Sequence, residues 1–286
     1  MSERHPLCGE FSCSFLSCLC SLLKLAGSDE RLRVAGGTNP FSMQRVCWSV
    51  IYSAVRTLQR SLPADDPPEP SSLAPNLDAL PALVLFGRCC VLLAGFWSGL
   101  VVASGSLDQV ELRLWGQCFD NFRRQCHLVF GWLGWFGPPL LAAGYPVGPL
   151  QQHAQALFAA AVAAYPAVQR VLAPSFSGAL DPVAATAAAA AIRELVQRLR
   201  AVGAAAGAIP VGSFCNNSGC VNVCGPSEVM LVSGRTNLCA GCRTARYCGR
   251  GCQRQAWKQH KPVCKALAAA AAAAGAHAAE GAGAAT

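Results

Sequence analysis

Cys215-Asn-Asn-Ser-Gly-Cys220, Cys239-Ala-Gly-Cys242, Cys248-Gly-Arg-Gly-Cys252 and His260-Lys-Pro-Val-Cys264 are four pairs of soft metal ligands, separated by gaps of 18, 5 and 7 residues. A spacing of two to four residues lets a turn, or one turn of helix, aim both side chains at the same ion, and eight ligands serve two tetrahedral Zn2+. The last two pairs are i, i+4 separations, which place both members on one face of a helix. A disulfide framework is the main competitor, because with Cys224 the stretch holds an even number of cysteines, but it leaves His260 and the paired spacing unexplained. Cys224, in Val223-Cys224-Gly225-Pro226, stands outside the pairs as a free thiol or an alternative to Cys220. A unit this small cannot fold on buried area alone and has to draw on metal binding, roughly 10–16 kcal/mol per structural zinc at neutral pH.

Around these ligands the sequence carries Tyr247-Cys248, Cys252-Gln253, Ala256-Trp257, His260-Lys261 and a last Cys264. This pattern resembles the MYND-type zinc finger, with Ala256 where the family usually has Asp, a longer first pair, and a long gap before Cys239. The resemblance is confined to about residues 215–264. It implies a cross-braced fold in which Cys215, Cys220, Cys248 and Cys252 hold one zinc while Cys239, Cys242, His260 and Cys264 hold the other. It also implies a protein-interaction module that takes short proline-containing segments along a small hairpin, with Gln253 and Trp257 at the peptide-contacting positions. The competing readings are a packed anchor for Trp257 and a solvated polar residue for Gln253.

Outward from the finger, the composition is that of a folded protein with one sizeable core. The 286 residues are 53% apolar and 13% charged, which excludes a disordered or collagen-like chain. Of the 17 cysteines, nine precede Cys215. The net charge is +8, and residues 215–264 hold seven Arg or Lys against Glu228 alone, a local +6. Seven thiolates and two Zn2+ together contribute −3, so the loaded finger carries nearer +3. With only four lysines in the chain, a nucleic-acid partner is disfavoured, and Arg243, Arg246, Arg250 and Arg254 read first as a solvated face.

Residues 1–62 read as an N-terminal helical region. The apolar stretch Phe11–Leu25 could pass for a short secretory core, but Glu3 and Glu10 precede it, and Cys8, Cys13, Cys18 and Cys20 fit small buried side chains. Residues 63–81 contain six prolines among Asp65, Asp66 and Glu69 and read as a linker or loop. Residues 82–208 read as an apolar α-helical region. Its uncharged runs, Cys89–Leu107 and Gln125–Gln169, are long enough for a bilayer, but their glycines, serines and prolines suit short packed helices better, with Trp97, Trp115, Trp132 and Trp135 as core aromatics. One helix is well signalled: Asp181 as N-cap, Pro182 at N1, Ile192, Leu195, Val196, Leu199 and Val202 on one face, Arg193, Arg198 and Arg200 on the wet side, and Gly203 at the end. The finger occupies residues 213–266. Residues 267–286 are an Ala/Gly-rich low-complexity tail, helical for a turn or two.

The fold expected is therefore mainly α: an all-α N-terminal region followed by a small cross-braced two-zinc finger. No dinucleotide, P-loop, nucleophile-elbow or zinc-protease motif occurs, nor the cofactor motif of the lysine methyltransferases that carry such fingers, and His127 beside Cys126 and near Cys118 has an ordinary structural reading. The chain is expected to be a non-enzyme, an adaptor or scaffold with two structural Zn2+ and protein partners, in a setting such as transcriptional regulation. A reducing compartment, nucleus or cytoplasm, suits its thiolates. The alternative is a membrane-associated adaptor using residues 89–107 and 125–169; a nucleic-acid binder or a methyltransferase relative ranks below it.

Overall fold

The computed structural model describes residues 50–58, 77–103, 109–172, 182–220, 222, 228–234 and 237–283. The N-terminal cysteines, the proline-rich stretch up to residue 76, Asp181 and Cys224 lie outside the described residues. Residues 50–58 form helix α1. A 3-10 turn, Leu77–Ala79, leads into α2 (Leu80–Ala103), followed by α3 (Gln109–Ala142), α4 (Val147–Leu172), α5 (Pro182–Gly207), the short α6 (Glu228–Val232) and α7 (Arg250–Gly283). Among the described residues there is no strand, only an isolated antiparallel bridge between Leu238 and Arg246.

α2 is the centre of the helical body because its sequence is apolar on every side. Leu80, Ala82 to Phe86, Cys89, Cys90, Leu93, Ala94 and Trp97 are all buried, and a helix apolar all round has to be enclosed. It packs along α5, α5 along α4, and α4 along α3. Trp97 closes the arrangement by meeting two α3 rings, Phe119 at 5.9 Å and Phe122 edge-on at 5.3 Å. Trp132 is buried and Trp135 half-buried, as core aromatics should be, while the Trp115 side chain lies outside the described residues. Cys126 faces the core and its neighbour His127 faces out against Phe158, so the two do not form a site.

Three expectations about the helices need correcting. The prolines do not cut the region into short pieces: α3 runs 34 residues through Pro138 and Pro139, and α4 runs 26 through Pro166. Pro138 and Pro139 sit near the end of α3, and Pro166 withdraws its donor from the carbonyl of Val162, a residue that faces solvent, where water can replace the missing bond. Gly203 does not end α5, which continues to Gly207. It is a point of close approach between α5 and α2: a Cβ at Gly203 would stand 2.9 Å from the Gly87 carbonyl oxygen and collide with the Val91 Cγ2. Ile192, Leu195, Val196, Leu199 and Val202 are buried as the periodicity requires, and Arg198 pairs with Glu194 at 2.7 Å on the outer side. Finally, the alanine run is not a frayed tail but the second half of α7, which is 34 residues long. Alanine has the highest helix propensity, and the zinc-ligand end of α7 has already borne the cost of nucleation.

The helical body and the cysteine-rich segment share a core. Phe214, Val263 and Leu267 are buried in the same cluster as the side chains of α2 to α5. The α3–α4 connection receives α7 directly. There Tyr145 N–H bonds the Leu140 carbonyl and Gly144 N–H bonds the Leu141 carbonyl, the paired pattern that closes a helix on a left-handed residue, and Gly144 has φ +84°. A Cβ on Gly144 would lie 3.2 Å from both the Ala266 carbonyl oxygen and the Ala270 Cβ. Among the described residues, no helix is long and apolar enough to cross a membrane.

Candidate metal centres

The segment from Cys215 to Cys264 folds around two clusters of ligand atoms. Cys215, Cys220, Cys248 and Cys252 form one; Cys239, Cys242, His260 and Cys264 form the other; within each, all ligand atoms lie within 4.8 Å of one another. The pairs interleave, first with third and second with fourth, so the clusters cross-brace the segment. Cys252, His260 and Cys264 come from α7: the His260–Cys264 pair shares a helical face as its i, i+4 spacing requires, but Cys248 precedes the helix, which begins at Arg250, so Cys248 and Cys252 meet across the helix start and not on one helical face. Cys239 and Cys242 come from a tight turn. The segments on either side of the turn are paired by Cys239 N–H to the Ala245 carbonyl and Tyr247 N–H to the Asn237 carbonyl, both 2.8 Å, and Arg243 adopts a left-handed φ of 54° in between.

The donor atoms fit tetrahedral zinc. With a Zn–S length of about 2.3 Å, tetrahedral sulfurs stand about 3.8 Å apart, and a sulfur and an imidazole nitrogen about 3.5 Å. The Sγ separations are 3.9 Å for Cys215–Cys248, 3.6 Å for Cys220–Cys248, 3.3 Å for Cys248–Cys252 and 3.7 Å for Cys239–Cys264, and Cys242 Sγ lies 3.6 Å from His260 Nε2. All are far beyond a disulfide bond, and none of the ten cysteines whose side chains are described forms one. Burial pushes the Cys248 and Cys264 thiols up to about 11, and the adjacent Cys220 thiol together with burial pushes Cys215 up as well. Thiols so crowded ionise together only when a cation neutralises them. Zinc supplies that charge and ties the loops to α7. With four protein ligands each, both sites are closed, the arrangement of structural zinc.

Several residues around the ligands carry no motif signal. Both backbone polar groups of Cys215 are held from outside: its N–H donates to Oε2 of buried Glu228 at 3.2 Å, and its carbonyl accepts from Arg88 Nη2 at 2.6 Å. Asn222 Nδ2 donates to Cys248 Sγ at 3.2 Å, a bond that favours the thiolate. Asn216 bridges Val211 and the Arg246 carbonyl, and Asn217 reaches Gln255 Oε1 at 2.8 Å, fastening the first ligand loop to α7. Glu228 as the lone acid of the stretch, and Arg88 as the lone cation inside α2, were visible as oddities; their shared target was not. Ala256, standing where Asp is usual, is buried in the finger's own small core with Val232, Ala245 and Tyr247. Tyr247 is buried and edge-on to His260 at 5.9 Å. Trp257 leans on the His260 ring at 6.0 Å but stays 43% exposed, and Gln253 is half-buried one turn before it.

The sequence model of the MYND finger family matches residues 219–264. The match begins four residues beyond Cys215, which the geometry nonetheless places in the first cluster. No solved structure matches the chain. The C-terminal segment is thus a MYND finger with two cross-braced sites for structural zinc, a metal-dependent protein-interaction module built into the end of a helical body.

Proposed function

We propose that the chain is a non-catalytic adaptor whose finger captures short proline-containing segments of partner proteins. The observation that carries this reading is Trp257, a large ring 43% exposed on a helix pinned by two metals and braced against the ligand His260. An indole held this way offers proline a rigid flat wall at little entropic cost. Gln253, four residues earlier, lies on the same face and supplies an amide for a peptide backbone.

The hairpin offers a second element. Of its two edges, one is taken: Asn216 N–H bonds the Arg246 carbonyl at 2.8 Å. On the other side of the bridge Leu238 sits between the bonded positions Asn237 and Cys239, and its backbone groups bond to no described residue. An extended segment added there would satisfy them, which is peptide capture by strand addition. The closed coordination of both zincs supports the non-enzymatic reading, and the thiolate ligands suit the reducing nucleus or cytoplasm, with transcriptional regulation as one setting.

The test is selection on the zinc-loaded full chain from a peptide library with one fixed proline and randomised flanks. Wild type retains proline peptides, and Trp257→Ala keeps two zincs but loses about tenfold or more in capture. A Trp257→Ala chain that sheds zinc would identify the ring as a packing anchor instead.

A further inference from the structure

Arg250, Arg254, Lys258, Lys261 and Lys265 follow one another along α7 at spacings of 4, 4, 3 and 4 residues. At 3.6 residues per turn they fall within an arc of about 80°, and at 1.5 Å per residue the stripe is about 22 Å long. All five are exposed, and none makes an ion pair or side-chain hydrogen bond to another described residue. Cys252, Val263 and Leu267 lie across the helix from the stripe and the ligands His260 and Cys264 lie to one side of it, so packing and metal fix which way the stripe points. Trp257 lies along its edge, about 20° from the Arg250 position on the same projection.

Resting on the peptide-capture reading above, we infer that the partner segment is acidic: its proline stands against Trp257, and carboxylates beside that proline engage the stripe on α7. A helix of ordinary surface design alternates cations with acids at i, i+4, which lowers its own energy. This one spaces like charges at i, i+3 and i, i+4 over about four turns, an arrangement unfavourable for the helix by itself and relieved by an external anion. The anion favoured is a short peptide rather than a nucleic acid. With zinc bound the four-thiolate site carries −2 and the other −1 alongside the same helix, which trims the long-range positive field that a polyanion needs but leaves contacts at hydrogen-bond distance intact. The aromatic wall at the stripe's edge adds a peptide-sized apolar contact.

The test compares the zinc-loaded wild-type chain with Arg254→Gln/Lys258→Gln/Lys261→Gln in the same fixed-proline library selection, followed by affinity measurements on a selected peptide and on its Asn/Gln isostere. Because the three side chains hold no bond within the fold, the variant keeps its helix content and two zincs, and Arg254→Lys/Lys258→Arg/Lys261→Arg retains binding. The expected result is enrichment of Asp and Glu beside the proline, an acidic peptide about tenfold tighter than its isostere at low salt, and loss of that difference both in the variant and at high salt. Selected peptides that contain proline without acid enrichment, or an acidic preference the variant keeps, would overturn the inference while leaving proline capture standing. Acid-rich peptides without a proline requirement, lost in the variant, would support the stripe and defeat the proline reading. Displacement of the acidic peptide by duplex DNA at equal anion concentration would assign the stripe to nucleic acid and overturn the inference.

Discussion

Arg88 in α2 donates a 2.6 Å hydrogen bond to the carbonyl oxygen of Cys215, and its guanidinium lies 4.9 Å from the centroid of the Phe214 ring. One side chain of the helical body thus holds the backbone of the first zinc ligand. Removing it in Arg88→Met should leave both zincs bound and lower stability by about 1–3 kcal/mol, the range for a charged hydrogen bond plus a cation–ring contact in a half-buried place. The measurement is thermal unfolding followed by helical circular dichroism and by zinc release. In the wild type the two transitions coincide; in the variant zinc release should precede helix loss. Coincident transitions at an unchanged temperature would show that the clamp contributes nothing.

Gly241, between the ligands Cys239 and Cys242, has no room for a methyl group, because a Cβ there would stand 2.6 Å from Cys264 Sγ. That sulfur is fixed by the metal and cannot swing away. Gly241→Ala is expected to weaken the Cys239/Cys242/His260/Cys264 site by about 1–3 kcal/mol, the usual range for overpacking, and to leave the other site unchanged. Titration against a chromophoric chelator should then resolve one zinc of normal affinity and one about tenfold or more weaker.

Gly203→Ala tests the helical body in the same way. Its added methyl would collide with the Val91 side chain and stand 2.9 Å from the Gly87 carbonyl, and the second of these is backbone that moves only if α2 moves. A loss of about 1–3 kcal/mol is expected despite the higher helix propensity of alanine, with zinc content unchanged. A gain in melting temperature would mean the helices separate more easily than this crossing implies.

Zinc uptake should be strongly dependent on pH. Burial holds the Cys248 and Cys264 thiols up to about 11, and the adjacent Cys220 thiol together with burial raises Cys215, so at neutral pH these three are protonated before metal arrives and ionised afterwards. Zinc added to metal-free chain at pH 7 therefore releases protons, those of Cys215, Cys248 and Cys264 among them. The sign follows: protons compete with metal, so zinc affinity falls as pH drops and rises with pH until the thiols ionise unaided. Without metal the dependence reverses. Thiols raised in the folded state favour folding fully below their ordinary range, and that contribution disappears as pH climbs toward 11. Calorimetry in buffers of different ionisation enthalpy counts the protons; a release near zero would mean the thiolates are pre-formed.

The ligands, their grouping in four pairs and the apolar face of α5 were legible in the sequence because each rests on local geometry, whereas the assignment of alternate pairs to one ion came from the resemblance to the finger family. Two side chains a turn apart can only reach one ion, and Ile192, Leu195, Val196, Leu199 and Val202 can only share one face. The lengths of the helices were not legible. Pro138, Pro139 and Pro166 carry a local penalty that enclosure on several sides outweighs, and Gly203 reads as a helix stop until α2 is seen against it. The alanine run likewise looks too poor to pack, yet it continues a helix already started by zinc, with Leu267 and Ala270 against the body.

The sequence by itself therefore determined the metal chemistry: eight ligands at spacings that only two tetrahedral ions satisfy, on a chain otherwise apolar and helical. Only the tertiary structure decided that the finger is fused to the body through Phe214, Val263, Leu267 and the Arg88–Cys215 bond, and which face of α7 is left to solvent. The physical reason is range. Ligand spacing is settled within a few residues of chain, whereas the Arg88–Cys215 contact joins groups 127 residues apart, and nothing in the sequence around either one specifies the other.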